Sequence, residues 1–290
     1  MHDTGNSINW LKVTDMPLTL GETPIWCEQN RCFYFVDIKE GKAYSYFPKD
    51  KFLRNYSVPK FTSACLLTED KDLCLLTAQD GLYLLNVVTG IVSLYCSYDL
   101  KGLRPNEAQI DNEGNLYLSV MDNKAKAGAG ALFFFDVKLK RLELIAKDIT
   151  VPNTLLFIDG AVYFFDSFKP CFYRYVRKTG ELSEVYGKLS GIPDGSCLLA
   201  DNSFLNANWQ DNCLNHFVIK ETGLELIGSV PLSLRQPSSA ALGGEDFNVL
   251  FITSASDGLK EPMGQAGMCL MGASSFKGKK FNRFSFGENK

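Results

Sequence analysis

The sequence predicts an all-β chain folded as a six-bladed β-propeller, and three observations carry that prediction. First, a short motif recurs at Glu22, Ser63, Asn106, Asn153, Asp194 and Ser238, in steps of 41, 43, 47, 41 and 44 residues. The clear copies are Pro105-Asn106, Pro152-Asn153, Pro193-Asp194 and Pro237-Ser238; Gly21-Glu22-Thr23-Pro24 and Phe61-Thr62-Ser63-Ala64 are degenerate ones. A period of that size is most often one four-stranded propeller blade. Second, the residues between copies read as short apolar runs split by Gly, Asn and Asp, which tolerate the positive φ of tight hairpins. Third, no segment carries a 3.6-residue stripe longer than a turn or two. Six repeats account for almost the whole chain, so residues 1–290 are expected to form one domain rather than two.

The elements follow in order. Residues 7–13 largely alternate apolar and polar and are expected to pair with the last blade, closing the ring. Repeat one gives strands at Thr23–Trp26, Cys32–Asp37, Lys42–Phe47 and Lys51–Val58, with Gly41 and Pro48 as breakers. Repeat two gives Ala64–Leu67, Leu73–Ala78, Gly81–Val87 and Val92–Ser97. The first two strands of the later repeats are Ala108–Ile110 and Leu116–Met121, Leu155–Phe157 and Ala161–Asp166, Cys197–Leu199 and Ser203–Asn208, then Ala240–Leu242 and Val249–Ser254. Met121 to Ala131, polar, small and Gly-rich, is an inserted loop that leaves the strand end facing the predicted ligand site.

Composition narrows the function. A chain that is 46% hydrophobic and 22% charged is an ordinary soluble globular one. Its net charge of −3 gives no reason to expect nucleic acid or an anionic membrane as partner. No apolar run approaches the roughly 20 residues of a spanning helix. Met1 to Asn6 lacks a basic-then-apolar leader, and the nine cysteines form no Cys-x-x-Cys pair. They are expected to be reduced core residues of a cytoplasmic protein.

The absent motifs are informative too. The two histidines are His2 and His216, too few for a zinc site built on three. A serine triad would have to use His216, and no Gly-x-Ser-x-Gly turn exists. Gly128-Ala129-Gly130 is no dinucleotide fingerprint, Lys277-Gly278-Lys279-Lys280 no phosphate loop, and Asp111 to Asn115 a hairpin turn rather than an EF-hand loop. The basic, aromatic stretch Lys277 to Phe286 alternates as a strand with one solvated face. What remains is the motif itself. Equivalent points on successive blades ring the central channel, so Glu22, Asn106, Asn153 and Asp194 should meet at one mouth. Two carboxylates and two carboxamides make a hard, all-oxygen site for a divalent cation. Calcium comes first; magnesium and manganese suit oxygen as well, and zinc or ferrous iron also accept carboxylates. Ser63 and Ser238 are small enough to line the channel without closing it.

Five stretches carry a resemblance to a known family. They are Leu20-Gly21-Glu22-Thr23-Pro24-Ile25-Trp26 with Phe35-Val36-Asp37-Ile38; Arg104-Pro105-Asn106 with Gly114-Asn115-Leu116-Tyr117 and Met121-Asp122; Pro152-Asn153 with Tyr163-Phe164-Phe165-Asp166-Ser167; Ile192-Pro193-Asp194-Gly195; and Phe251-Ile252-Thr253-Ser254-Ala255. In that order and spacing they resemble the SMP-30/gluconolactonase/regucalcin-like family of six-bladed propellers, over essentially the full length. The resemblance implies that Glu22, Asn153 and Asp194 bind one divalent metal and that Arg104 and Asn106 contact substrate. It implies hydrolysis of a sugar lactone to its aldonic acid; the chain is expected to act as a monomer or small homo-oligomer. By residue type alone, Asn106 could instead touch the metal. The chain departs from the pattern at three places. Thr154 stands where a Gly commonly follows the second Asn, Asn106-Glu107-Ala108 replaces Asn-Asp-Gly, and Asp122 and Lys124 stand near the place of a substrate-contacting Glu. In this reading Asp194 is the general base toward the attacking water. A calcium-binding regulator without turnover, a propeller scaffold for protein partners, and a metal-dependent esterase or organophosphate hydrolase are the alternatives.

Overall fold

The computed structural model describes residues 8–169, 171–260 and 265–287; His2 and the N-terminal segment 1–7 lie outside them. Short strands separated by turn residues pair only with their neighbours, which builds six antiparallel sheets of four strands. The chain opens with β1 (Leu11–Lys12). Blade one is β2 (Gly21–Cys27), β3 (Cys32–Asp37), β4 (Lys42–Phe47) and β5 (Phe52–Ser57). Blade two is β6 (Ala64–Leu67), β7 (Leu73–Thr77), β8 (Gly81–Asn86) and β9 (Val92–Ser97). Blade three is β10 (Arg104–Ile110), β11 (Leu116–Met121), β12 (Gly130–Asp136) and β13 (Arg141–Ile149). Blade four is β14 (Pro152–Ile158), β15 (Ala161–Asp166), β16 (Cys171–Val176) and β17 (Glu181–Val185). Blade five is β18 (Pro193–Leu198), β19 (Phe204–Asn208), β20 (Cys213–Lys220) and β21 (Gly223–Pro231). Blade six is β22 (Pro237–Gly243), β23 (Val249–Ser254) and β24 (Leu270–Ala273), completed by β1, whose Leu11 pairs with Met271. The N-terminal strand thus closes the ring, as its alternation predicts. Among the described residues there is no helix, and so none long and apolar enough to cross a membrane.

The first strands of neighbouring blades touch one another around the axis. The second strands are buried on both faces, so they read as continuous apolar runs. Their alternate residues enter opposite wedges. On β3, Cys32, Tyr34 and Val36 face blade two, while Phe33 and Phe35 pack with Phe251 of blade six. Six such apolar wedges, one per blade junction, make up the core.

Two expectations are corrected. In five of the six blades the first strand begins earlier than its apolar run, so the motif lies inside the strand; blade two keeps the expected Ala64–Leu67, with Ser63 just before it. The stretch Lys277 to Phe286 is not a strand. It crosses the lower face of the ring, at the far end of the first strands, making single bridges at Leu199–Gly278 and Thr68–Phe284. Each bridge meets a different blade, so no ladder can propagate. Phe284 is buried there between blades two and three.

Candidate active site

The motif converges because of a backbone irregularity. In five of the six first strands the register with the second strand slips at the motif, at Glu22/Ile25, Pro105/Ala108, Asn153/Leu156, Pro193/Ser196 and Pro237/Ser239. Each slip is a β-bulge, which bends the strand and re-aims a side chain. Proline fits such places because the ladder does not require its missing N–H. Two bulges put a β-branched residue at positive φ, Thr23 at 47° and Thr154 at 60°. Blade five uses Gly195, where a Cβ would stand 2.3 Å from Ser239 Oγ. The bulges of blades one and four are anchored alike. Asp37 accepts hydrogen bonds from Thr19 N and Leu20 N at 2.8 and 3.1 Å, and Asp166 accepts from Thr150 N and Val151 N at 2.9 and 3.1 Å.

The result is a cavity of about 240 Å³ at the upper mouth of the channel. Glu22, Arg104, Asn106, Asn153 and Asp194 all line it, from blades one, three, four and five. Ser167, Phe168, Trp209, Lys39 and Asp257 complete the walls, with Met121, Asn123 and Ala125 from the inserted loop. The loop therefore reaches the cavity, but through Asn123 and Ala125. Asp122 and Lys124 do not line it; Asp122 Oδ1 accepts from Lys124 N at 2.8 Å and holds the turn. Ser63 and Ser238 do not line it either. They are fully buried, Ser63 Oγ bonding Thr77 Oγ1 at 2.9 Å and Ser238 Oγ donating to Gly21 O. A smaller cavity of about 90 Å³ on the lower face has no carboxylate in its lining.

A hydrogen-bond relay crosses three blades. Arg104 Nη1 donates to Asn106 Oδ1 at 2.9 Å, Asn106 Nδ2 to Asn153 Oδ1 at 2.7 Å, Asn153 Nδ2 to Ser167 Oγ at 2.9 Å, and Ser167 Oγ to Pro193 O at 2.6 Å. Arg104 is buried, and its Nε has no partner among the described residues. Glu107 lies behind the motif. It accepts hydrogen bonds from Thr154 N, Leu155 N and the Gln109 side chain.

Three carboxyl groups are thus buried near one another. Burial pushes Glu22 well above the usual carboxylate range, and the charges of Asp194 and Glu107 add to it. Burial pushes Asp194 up as well, then Glu107, against the pull of Arg104. Burial raises Glu107 to about 7, against the hydrogen bonds from Thr154, Leu155 and Gln109 that pull it down. Among the described residues no three His, Cys, Asp or Glu side chains are grouped so as to hold a metal ion by themselves. A cation here has to draw on carboxamide oxygen too. The donor set fits that demand: the carboxylates of Glu22 and Asp194 carry unfavourable mutual charge that a dication relieves, and Asn153 Oδ1 keeps a second lone pair. All three are hard oxygen donors, suited to calcium, magnesium or manganese.

Sequence reading missed Glu107, Ser167, Lys39, Trp209 and Asp257 as cavity or support residues. Ser167 is within a motif that was legible, two residues past the apolar run. Glu107 showed in the sequence only as a departure from the resembled pattern beside Asn106, and Lys39, Trp209 and Asp257 carry no local signal.

Comparison with known proteins follows the same lines. The family model described as "SMP-30/Gluconolactonase/LRE-like region" matches residues 20–256. An L-arabinolactonase of Azospirillum brasilense is 28% identical over 262 residues, 86% of this chain and 85% of that protein. A regucalcin of Xenopus laevis is 26% identical, covering 83% of this chain and 85% of the relative. The crystal structure of a calcium-binding protein, regucalcin, from Agrobacterium tumefaciens superposes with a TM-score of 0.87 at 22% identity, covering 96% of this chain and 98% of that one. At that identity the superposition shows the six-bladed fold alone.

Proposed function

The chain belongs to the SMP-30/gluconolactonase/LRE-like family, and from that premise we propose that it is a sugar lactonase, opening an aldonolactone to its aldonic acid with one divalent cation held by Glu22, Asn153 and Asp194. The observation that carries the proposal is the convergence of those three oxygen donors with Arg104 and Asn106 in one cavity. Relatives described as an L-arabinolactonase, a 6-deoxy-6-sulfogluconolactonase and a pentonolactonase support a lactone as the substrate class. The volume, below the roughly 300–1,000 Å³ of drug-sized pockets, suits a single small sugar. Nine free thiols, seven of them buried, support a cytoplasmic setting.

When bound, the cation supplies positive charge for the oxygen on which negative charge develops as the lactone carbonyl is attacked. The remaining work falls to side chains of this chain. Asp194 takes a proton from the attacking water, and that proton goes to the ring oxygen as the C–O bond breaks, leaving a hydroxy acid. Arg104, with Nε unspent, donates to substrate oxygen. Both ends of the Asn106 amide are engaged, with Arg104 on one side and Asn153 on the other. Asn106 therefore ties the substrate-facing guanidinium to the cation-facing carboxamide. Asp122 and Lys124 act, in this reading, through the turn that presents Asn123 and Ala125.

The deciding experiment is a pH-stat assay of acid release from a panel of aldonolactones, corrected for spontaneous hydrolysis. It is run on protein as purified, after chelation and after return of single cations. The expected outcome is turnover that disappears with chelator and returns with one cation. Cation binding without turnover of any lactone would replace the proposal with a calcium-binding role, the reading that the description of the Agrobacterium protein favours.

A further inference from the structure

One pair of residues in the cavity wall has no part in the chemistry above. Lys39 Nζ donates to Asp257 Oδ2 at 2.6 Å, and both residues line the cavity that holds Glu22 and Asp194. Their side chains are 33% and 37% exposed, whereas Glu22 and Asp194 are 8% and 7% exposed. The pair therefore stands at the mouth and the carboxylates at the floor. Lys39 follows β3 of blade one and Asp257 follows β23 of blade six, so the pair straddles the junction where the ring closes. Its backbone is fixed on both sides. Asp257 N donates to Thr19 O at 3.0 Å, Gln236 Nε2 donates to Asp257 O at 3.1 Å, and Ile38 N donates to Leu20 O at 3.0 Å.

An ion pair this exposed contributes little to stability, so the fold does not require it. Among the described residues, Asp257 Oδ1 accepts no hydrogen bond and Lys39 Nζ makes no second one. A fixed donor beside a fixed acceptor matches a pair of neighbouring hydroxyls, each of which donates and accepts. Trp209 supplies an amphipathic wall in the same cavity. Asp257 also lies one residue beyond the family-matched stretch 20–256, so half of the pair is outside the shared region.

We infer that Lys39 and Asp257 form a specificity subsite that reads the hydroxyl groups of an aldonolactone remote from its carbonyl. The inference rests on the lactonase reading above. The test compares glucono-1,5-lactone with δ-valerolactone, the same ring without hydroxyls, using cation-loaded wild type, Lys39→Met and Asp257→Asn, each checked for folding by a thermal melt. The quantity read is the ratio of kcat/KM for the two lactones. Each variant should lower that ratio about tenfold or more, the scale of one lost hydrogen bond to a charged group. A ratio within about twofold of wild type in both variants, with both lactones turned over, overturns the inference and leaves the lactonase reading intact. Wild type that opens neither lactone with any cation overturns both.

Discussion

Glu107 and Thr154 are two of the residues where the chain leaves the pattern it resembles around the motif, and they are bonded to each other. Thr154 keeps the left-handed backbone that a Gly would adopt, at φ 60°. That geometry costs a non-Gly residue about 1–3 kcal/mol. It is offset by Thr154 N donating to Glu107 and Thr154 Oγ1 donating to Asp194 O at 2.6 Å. Glu107→Ala removes the acceptor from a buried N–H, which should cost about 1–3 kcal/mol in urea denaturation. It should also weaken cation binding by calorimetry, because the bulge carries Asn153. Unchanged stability and unchanged cation affinity in Glu107→Ala would remove that supporting role. Arg104→Ala should act differently, raising KM for an active lactone more than it lowers cation affinity; unchanged kinetics on every active lactone would end its substrate role. His216 provides a pH test away from the site. Burial lowers its pKa below the ordinary value, and Ser203 Oγ lies 2.8 Å from its Nε2. The folded state then binds fewer protons than the unfolded chain. Its contribution is present above about pH 6.5 and is lost as pH falls through the folded value. Urea midpoints of wild type should therefore fall from pH 7.5 to 5.5 more steeply than those of His216→Gln.

At the scale of the element, the position of each functional side chain comes from a strand end and the aspartate that holds it. Asp166 closes β15 and is fully buried, with its carboxylate spent on two backbone N–H groups ahead of β14. Asp166→Ala strands both donors, so unfolding free energy should drop by about 2–6 kcal/mol, taking roughly 1–3 for each. Cation affinity should drop with it, since Asn153 sits just past that anchor. A stability loss with full cation affinity would show that the anchor serves the fold alone. The same logic explains what was legible in the sequence. Second strands such as Cys32–Asp37, Ala161–Asp166 and Val249–Ser254 read true because they are buried on both faces and bounded by turn residues. First strands were cut short because Pro105, Pro152, Pro193 and Pro237 look like breakers, yet a strand accepts proline at its first residue, where Pro152, Pro193 and Pro237 stand, and beside a bulge. The motif's spacing brought Glu22, Asn106, Asn153 and Asp194 together without any structure. The support role of Glu107 was invisible because its partner is 47 residues away, and Lys39 and Asp257 because they meet only across the closed ring.

At the scale of the whole molecule, a ring of six blades has to be held shut, and this chain does it at three levels. β1 supplies the outer strand of blade six, a cation at the upper mouth would join blades one, four and five, and the stretch 277–286 straps the lower face. The strap is tied by Ala200 N to Lys277 O and Gly278 N to Phe247 O, each at 2.8 Å, by Asn282 Nδ2 to Ile110 O at 2.9 Å, and by Phe284 N to Leu67 O at 2.8 Å. These contacts reach blades two, three, five and six. Phe284 is its apolar anchor, 1% exposed and edge-on to Phe286 at 5.3 Å and Tyr95 at 6.0 Å. Phe284→Ala should cost about 3–5 kcal/mol, the range for emptying a buried aromatic site. Cation removal should act from the other mouth, by about 2.7 kcal/mol when the cation had been present at 100 times its Kd. Because the two devices grip opposite faces of one cooperative ring, chelation should lower the melting temperature of wild type and of Phe284→Ala alike, and their free-energy effects should add. If Phe284→Ala instead abolished the response to chelator, the strap would be holding the cation site itself, and the two mouths of the channel would be one coupled unit rather than two independent closures.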